Sequence, residues 1–339
     1  MAVETVLASQ DLRLAARACG FALVGFAPAA PLDPTPLQRW IDNGYAAGLT
    51  AMRTRMTERL DPATVVPAAK TVIVLAIPYG GGEPDDERVI ARYARGRDYH
   101  YAHRDRMRAL RKYLLAEDAT LRTYACVDAG AAMEKAWAER AGLGFIGKNG
   151  LLISNEHGSW ITLSLMIIDR ALDAYDSPRP RLCDSCRRCL DACPTQAFPS
   201  PGVLDARRCL AYHTVENHDD VPPPLRSRLG AHVFGCDACQ EVCPFNCGAL
   251  PVGDPRQVPR PIGLLGAAEL AALSPQDFAQ LATGTPMRRI GYHGLRRNAC
   301  LSLGATLQVE AAPLLERLTN DEDAGVREAA VWALQRLRY

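Results

Sequence analysis

The sequence lacks several features that would place it in a special class of protein. No stretch approaches the roughly 18 uninterrupted apolar residues that a membrane-spanning helix needs, and the first residues show no basic region followed by an apolar core. With 39 Lys and Arg against 38 Asp and Glu, the 339 residues carry a net charge of +1. The chain is therefore no general polycation, and nucleic acid would have to bind a local patch. We predict a cytoplasmic protein without membrane contact.

Motifs for several common cofactors are also missing. The glycine run Gly80–Gly82 fits neither G-x4-G-K-[ST] nor G-x-G-x-x-G, so it predicts no loop for nucleotide phosphates. The motif D-x-H-x-x-G, whose histidine ligates the cobalt of cobalamin, begins at Asp98 and His100, but His103 stands where glycine is required. No C-x3-C-x2-C run occurs, so radical chemistry with S-adenosylmethionine is not predicted.

Cysteine, by contrast, is abundant: the chain has 12, most of them between residues 183 and 247. In a cytoplasmic chain this number indicates metal rather than disulfides. The spacing C-x2-C-x2-C-x3-C-P is that of ferredoxins, in which the fourth thiolate of one run ligates the cluster of the other run. One complete run is followed by a shorter one: Cys183, Cys186, Cys189 and Cys193, then Cys236, Cys239 and Cys243.

The spacing predicts how these thiolates divide between two 4Fe–4S clusters. Three thiolates in one tight loop can hold three corners of a cubane, while the cysteine before the proline points to the neighbouring cluster. Cys209, between the two runs, supplies the remaining ligand. The predicted sets are Cys183, Cys186, Cys189 and Cys243 on one cluster, and Cys193, Cys209, Cys236 and Cys239 on the other.

Other interpretations of the cysteines fit less well. Structural zinc favours two separated C-x2-C pairs, and disulfides favour small secreted chains. Cys247 lies one further x3 step beyond Cys243 and competes with it as a ligand, although the proline that follows Cys243 favours Cys243. Three cysteines stand alone and are predicted to be small buried side chains: Cys19, Cys126 and Cys300.

Strands alternate with helices before the cysteine-rich stretch. Thr71–Ile77 is an apolar run typical of a buried central strand, Trp160–Ile168 is a second long candidate, and Ala131–Ala141 has the pattern of a helix. We predict an α/β domain over residues 1–175, a ferredoxin-like two-cluster domain over 176–255 and a helical domain over 256–339.

The last region predicts helices of the HEAT-repeat type. Asp323 precedes Val326, Arg327 and a series of alanines, so it caps a helix whose small side chains allow close stacking. One or two such repeats form no solenoid and must pack on the rest of the protein. Four arginines at their start indicate either a charged helix surface or a patch that contacts phosphates: Arg288, Arg289, Arg296 and Arg297.

Several blocks together resemble the epoxyqueuosine reductases, in the same order through nearly the whole chain. They are VDAGAAMEKAWAERAGLGFIGKNGLLI (residues 127–153), DARRCLAYHTVE (205–216), GCDACQEVCPFN (235–246) and the HEAT-like tail. Ala131 is a departure, because the family is expected to have proline there. The resemblance implies reduction of epoxyqueuosine to queuosine at the wobble position of tRNA anticodons, the last step of queuosine biosynthesis. It also implies base-off cobalamin in the α/β domain, two 4Fe–4S clusters beside it, a low-potential electron donor and a monomer.

The resemblance assigns roles to single residues. The family's proton donor falls on Asp128, which local sequence alone would make a helix cap. A carboxylic acid can donate in this way when burial raises its pKa. Glu134 and Lys135 are expected either to be structural or to support the residues that contact the cofactor. Cofactor contacts are expected from Arg59, His100, Asp128, Lys148, Ser154, Tyr212 and Thr214, and tRNA contacts from Arg288, Arg289, Arg296 and Arg297.

Two other functions remain open at this stage. A corrinoid reductive dehalogenase also pairs cobalamin with two clusters, but such proteins typically carry an export signal and no HEAT-like tail. A ferredoxin-type electron carrier with an interaction domain would leave the large α/β domain without a role. The sequence favours the reductase over both.

Overall fold

The N-terminal half is organised around a four-stranded sheet, within a computed structural model that describes residues 6–80, 89–128, 130–248 and 258–338. The strand order is β2-β3-β7-β4, and all neighbours are antiparallel. The strands are β2 (Leu23–Pro28), β3 (Thr71–Pro78), β4 (Thr123–Cys126) and β7 (Ile161–Ile168). Strands β3 and β7 lie where the sequence predicts the two long strands.

Every residue of β3 is buried because helices cover both faces of the sheet. Successive side chains of a strand point to opposite faces. One face packs against α1 (Ser9–Ala18) and α5 (Tyr99–Glu117), and the other packs against α6 (Glu134–Arg140). The two sets of β3 side chains are Ile73, Leu75 and Ile77, and Val72, Val74 and Ala76. A continuous apolar run thus arises here in an antiparallel sheet, whereas such runs are typical of parallel ones.

Shorter elements surround this sheet. Strand β1 (Val6–Leu7) pairs in parallel with β8 (Ala171–Leu172), and β5 (Phe145–Ile146) pairs antiparallel with β6 (Leu152–Ile153). Three helices precede β3: α2 (Thr35–Asp42), α3 (Thr50–Thr54) and α4 (Met56–Leu60). The glycine run noted above extends past residue 80, outside the described residues.

The cysteine-rich stretch has little regular structure. Its short helices are α7 (Arg188–Asp191), α8 (Pro223–Arg226) and α9 (Ala238–Glu241), and a π-helical turn spans Tyr212–Glu216. Helices α7 and α9 contact each other, and each carries a central cysteine of one run, Cys189 and Cys239. The two cysteine runs are therefore brought side by side.

Helices form the C-terminal region: α10 (Ala267–Ala272), α11 (Pro275–Leu281), α12 (Gly291–Ala305), α13 (Ala312–Leu318) and α14 (Ala324–Leu337). A Cβ atom at Gly304 of α12 would lie 2.6 Å from the Cα of Ala333 in α14, so small residues allow this close packing. The predicted cap is confirmed: Asp323 Oδ1 accepts a hydrogen bond of 2.9 Å from the Val326 amide. None of the described helices is both long and apolar enough to cross a membrane.

One hydrophobic core joins the C-terminal helices to the cysteine-rich stretch. Val233 and Phe234 pack in the same cluster as Leu295, Ala299 and Leu303. The predicted boundary at residue 255 lies outside the described residues, and the division into domains stays a prediction. The shared core holds the C-terminal helices in a fixed position beside the cysteines.

Candidate active site

An open cleft of about 280 Å³ lies where the end of β3, the starts of α5 and α6, and β7 come together. Its lining combines aromatic rings, aliphatic side chains and three charged groups. These residues include Tyr79, Tyr93, Tyr99, Asp128, Glu134, Lys135, Leu151, Leu152, Ile161 and Leu163. A mostly apolar cleft with a few convergent polar groups is typical of a cofactor or substrate site.

Asp128 lies in this cleft with an unusual backbone conformation. Its φ is 55°, in the left-handed region that residues other than glycine seldom adopt outside functional sites and turns. Its Oδ2 accepts hydrogen bonds from the Tyr99 hydroxyl at 2.9 Å and from Arg289 Nη1 at 3.2 Å. Helix α6 begins only at Glu134. Asp128 is therefore not the helix cap that local sequence alone suggests, and its side chain faces the cleft.

A histidine and a second carboxylate lie behind Asp128. Asp98 caps α5 through the His100 amide at 2.9 Å, and its Oδ1 also lies 2.7 Å from His100 Nδ1. His100 Nε2 is 3.8 Å from Asp128 Oδ2, and the imidazole ring stacks on Tyr99. The hydrogen bonds to His100 lower the pKa of Asp98, although its burial opposes them. The His100 imidazole thus lies between two carboxylates.

Glu134 and Lys135 line the cleft, although the sequence indicates only a structural or supporting role for them. Glu134 Oε1 is buried and has no hydrogen-bond partner among the described residues. The pKa of Glu134 is raised to about 8, mainly by burial and to a smaller extent by the nearby Asp128 carboxylate. The exposed Lys135 donates a hydrogen bond of 2.9 Å to the Gly150 carbonyl. A buried carboxyl without a partner is a group that a ligand could satisfy.

Replacing Glu134 with glutamine changes how stability depends on pH. Wild-type Glu134 titrates near 8 when folded and near 4.5 when unfolded, so between these values the folded state binds more protons. The free energy of unfolding then falls as pH rises. We expect the wild type to lose on the order of 2 kcal/mol more than Glu134→Gln between about pH 5 and about pH 8. Urea unfolding of both proteins measures this difference. An identical pH dependence would show that Glu134 ionises normally.

The thiols of the first predicted set lie together. Burial raises the pKa of Cys189, and Cys243, Cys183 and Cys186 are close enough to raise it further. Cys243 is itself buried, whereas Cys247 is exposed. The arrangement brings Cys243 to the first run, as the ferredoxin spacing predicts, and leaves Cys247 at the surface.

The thiols of the second predicted set also lie together. The pKa of Cys236 is raised to about 12, mainly by burial, and the neighbours that contribute to this rise include Cys209 and Cys193. Cys239 is affected in the same way by burial, by Cys236 and by Cys209. No group of three or more His, Cys, Asp or Glu side chains in the described parts of the chain is arranged for a single metal ion.

The second set neighbours both the first set and the cleft. Cys189 of the first set is among the groups that influence the pKa of Cys239. The pKa of the cleft residue Lys135 is influenced by both Cys239 and Cys209 of the second set.

Six of the seven residues predicted to contact a cofactor, all except Asp128, are absent from the cleft lining. Arg59, Ser154 and Thr214 are buried, with 7%, 1% and 0% of their surface exposed. Arg59 donates to the Ala132 carbonyl at 3.2 Å, and Thr214 donates to the Leu210 carbonyl at 2.7 Å. These side chains use polar atoms in hydrogen bonds inside the protein, and their contact with a cofactor stays a prediction.

Lys148 and Tyr212 support the cysteine-rich stretch. Lys148 Nζ donates a hydrogen bond of 2.9 Å to the Cys186 carbonyl. This hydrogen bond stabilises the loop that carries the first cysteine set. The Tyr212 hydroxyl accepts a hydrogen bond of 2.9 Å from the Gly48 amide. Each side chain thus links the cysteine-rich stretch to a segment of the N-terminal half.

The four arginines predicted to bind tRNA have different environments. Arg296 is 6% exposed and forms an ion pair of 2.7 Å with Asp321. Arg297 is 3% exposed and donates to backbone carbonyls, among them that of Asn217 at 2.9 Å. Both guanidinium groups are engaged inside the protein, and their contact with RNA phosphates stays a prediction. Arg289 pairs with Asp128 in the cleft, and Arg288 is exposed at the surface.

Comparison with known protein families agrees with both halves of the site. The family described as "4Fe-4S double cluster binding domain" matches residues 182–246, the stretch that contains both cysteine sets. The family described as "Epoxyqueuosine reductase QueG, DUF1730" matches residues 59–129, which end at the Asp128 loop. An epoxyqueuosine reductase of Gloeobacter violaceus is 42% identical over 308 residues, which cover 87% of this chain and 96% of the relative.

Solved structures of epoxyqueuosine reductases have a similar fold. A crystal structure of epoxyqueuosine reductase with a tRNA-Tyr epoxyqueuosine-modified stem loop is similar with a TM-score of 0.90 and 30% identity, covering 97% of this chain and 89% of that one. The Bacillus subtilis enzyme, solved with its catalytic aspartate loop swung out of the active site, has a TM-score of 0.89 and 30% identity, with coverage of 97% and 90%. The chain belongs to the epoxyqueuosine reductase family, and it is an oxidoreductase of that family.

Proposed function

We propose that this chain reduces the epoxide of epoxyqueuosine in tRNA to give queuosine, with Asp128 as the proton donor. The observation that carries the proposal is the position of Asp128. Its carboxylate lies in the cleft in a strained backbone, and the second cysteine set neighbours the cleft residue Lys135. The relatives solved with a modified stem loop and with a mobile catalytic aspartate support both the substrate and the residue.

The eight cysteines of the two sets would hold two 4Fe–4S clusters. Their division into two groups of four supports this assignment, as does the match to a double-cluster family. Bound clusters supply electrons one at a time at low potential. The fold of the chain places the second cysteine set next to the cleft.

The cleft fits a corrinoid in its chemistry. A corrin ring has apolar faces and a fringe of amide groups, and the cleft offers Leu151, Ile161 and Leu163 together with the unpartnered Oε1 of Glu134. A neutral Glu134 carboxyl can donate to an amide oxygen or accept from an amide nitrogen. When bound, cobalamin supplies a redox-active cobalt that can deliver electrons to an epoxide. Glu134 and Lys135 are the polar residues that would orient it.

Asp128 would supply the proton that the departing epoxide oxygen requires. Removing that oxygen as water consumes two electrons and two protons, so a proton donor must stand in the cleft. The hydroxyl of Tyr99 and the guanidinium of Arg289 hold Asp128 Oδ2 in position. His100, held by Asp98 and 3.8 Å from Asp128, is a titratable group that can return a proton to it.

The proposal is tested by product formation with the reconstituted protein. Anaerobic protein with both clusters and added cobalamin is mixed with a chemical reductant and a stem loop that contains epoxyqueuosine. We expect queuosine in the digested RNA, and we expect tRNA from a deletion strain to accumulate epoxyqueuosine. Protein that carries both clusters and binds cobalamin, yet forms no queuosine, would overturn the proposal.

A further inference from the structure

Helix α5 leads directly away from the cleft. Its first residues belong to the site, since Tyr99 donates to Asp128 and His100 lies 3.8 Å from the same carboxylate. The helix continues to Glu117 and packs its apolar side chains on the sheet, among them Met107, Leu110 and Leu114. The opposite side of α5 is a surface that begins at the mouth of the cleft.

That surface carries a stripe of basic and aromatic side chains, here called the α5 stripe. At 100° per residue its members fall within a sector of about 100°, and the helix carries them over about 16 Å. All are exposed to solvent. The α5 stripe consists of Tyr101, Arg104, Arg108, Arg111 and Lys112.

The charge of the α5 stripe is not balanced by nearby carboxylates. Within the described residues, Arg104, Arg111 and Lys112 form no ion pair. Arg108 lies 3.3 Å from Asp105, but both side chains are exposed, so this pair contributes little. The whole chain has a net charge of only +1. Four cations in one helical sector are therefore a local concentration of positive charge.

The end of the α5 stripe nearest the cleft has a different character. Tyr101 is 39% exposed, and the guanidinium carbon of Arg97 lies 4.9 Å from the centre of its ring. An exposed aromatic ring beside an arginine is a surface on which an unpaired base can stack. The stripe thus presents a stacking surface at the N-terminal end of α5 and cations further along the helix.

We propose that the α5 stripe binds the RNA substrate, with Arg104, Arg108, Arg111 and Lys112 against phosphates of the anticodon stem and Tyr101 against a loop base. This inference rests on the proposed function, which places the modified nucleotide in the cleft. The burial of Arg296 and Arg297 leaves only Arg288 and Arg289 exposed from the basic surface that the sequence indicates for the C-terminal helices. The α5 stripe supplies a basic surface on the helix whose first two residues, Tyr99 and His100, lie beside Asp128. Contacts to phosphates contribute affinity and a dependence on salt.

The test compares two double variants that lose the same charge. Arg104→Gln/Arg111→Gln changes the stripe, and Arg39→Gln/Arg53→Gln changes two exposed arginines on α2 and α3 that form no ion pair within the described residues. The full-length protein with both clusters is titrated into a fluorescent, unmodified anticodon stem loop at several salt concentrations. We expect the stripe variant to bind about tenfold more weakly, with a slope of log K against log salt that is smaller by about 1.5. The control should match the wild type.

Turnover at saturating stem loop separates the two proposals. We expect the stripe variant to keep the wild-type kcat and to raise KM. If the stripe variant and the wild type have the same RNA affinity and salt slope, the stripe proposal is overturned while the proposed function stands. Absence of turnover in the wild type would overturn the proposed function, and the binding comparison would still decide the role of the stripe. Loss of binding to anionic lipid vesicles with unchanged RNA affinity would assign the stripe to a membrane and overturn the proposal.

Discussion

Replacing Asp128 with asparagine slows epoxyqueuosine reduction by a factor of about 10² to 10⁴, the range that a general acid contributes. Asparagine keeps the shape of the side chain. Its amide oxygen can still accept from Tyr99 and Arg289, which hold Asp128 Oδ2 at 2.9 and 3.2 Å. Asparagine cannot supply a proton. The measurement is the single-turnover rate with saturating modified stem loop, together with iron content and the visible spectrum after addition of cobalamin, both of which should be unchanged.

Glu216→Gln is the matched control for this variant. Glu216 is the second carboxylate on Arg289, at 2.9 Å, and it is absent from the cleft lining. The control removes the same negative charge beside the same guanidinium without removing the proton donor, so we expect activity within a few-fold of the wild type. An Asp128→Asn protein with wild-type activity would remove Asp128 from the reaction. An equal loss in both variants would assign the effect to the charge around Arg289.

Arg289 connects the proton donor to the C-terminal helices. It ends the 3-10 turn Pro286–Arg289 that precedes α12, and its guanidinium bridges Asp128 and Glu216. Three segments far apart in the chain therefore meet at one side chain. The sequence indicates an RNA contact for Arg289 because an arginine beside a predicted repeat helix is typical of a phosphate-binding surface. Only the folded structure shows that this arginine contacts Asp128, which lines the cleft.

Local spacing predicts the cysteine sets well, for a physical reason. Three ligands of the first set lie close together in the chain, and the fourth, Cys243, precedes a proline that turns it toward them. The second set has the close pair Cys236 and Cys239 and is completed by two more distant cysteines. The cap at Asp323 is similarly local, since acceptor and amide are three residues apart. The strands β3 and β7 are long enough to be recognised from their apolar runs. Features of this kind depend on a few neighbouring residues.

Burial within the C-terminal helices could not be predicted in this way. Every residue of α12 from Leu295 to Gly304 is buried, so the helix lacks the polar face by which a pattern distinguishes core from surface. Arg296 and Arg297 are satisfied by Asp321 and by distant backbone carbonyls. The cleft is equally non-local, because Tyr79, Tyr99 and Glu134 come from three different elements. Glu134 acquires its role only through this convergence.

The largest effect on electron delivery is expected from Cys209. Replacing it with alanine removes one thiolate of the second set, and we expect iron to fall from about eight to about four atoms per chain. Reduction of the modified stem loop should fall at least a hundredfold, because the second set neighbours both the first set and Lys135 of the cleft. Iron and sulfide analysis with electron paramagnetic resonance of the reduced protein measures the loss. Circular dichroism checks that the variant is folded.

Cys247→Ala is the control for the cysteine assignment. Cys247 is exposed, whereas Cys243 is buried beside the first run. We expect Cys247→Ala to retain all iron and full activity, and Cys243→Ala to lose the iron of one cluster. The two cysteines are four residues apart in the chain, so a general disturbance of this loop would affect both variants alike. Loss of iron from Cys247→Ala with retention in Cys243→Ala would exchange the two ligands. Because the proline that turns the loop follows Cys243, such an exchange would also require this segment to rearrange when a cluster binds.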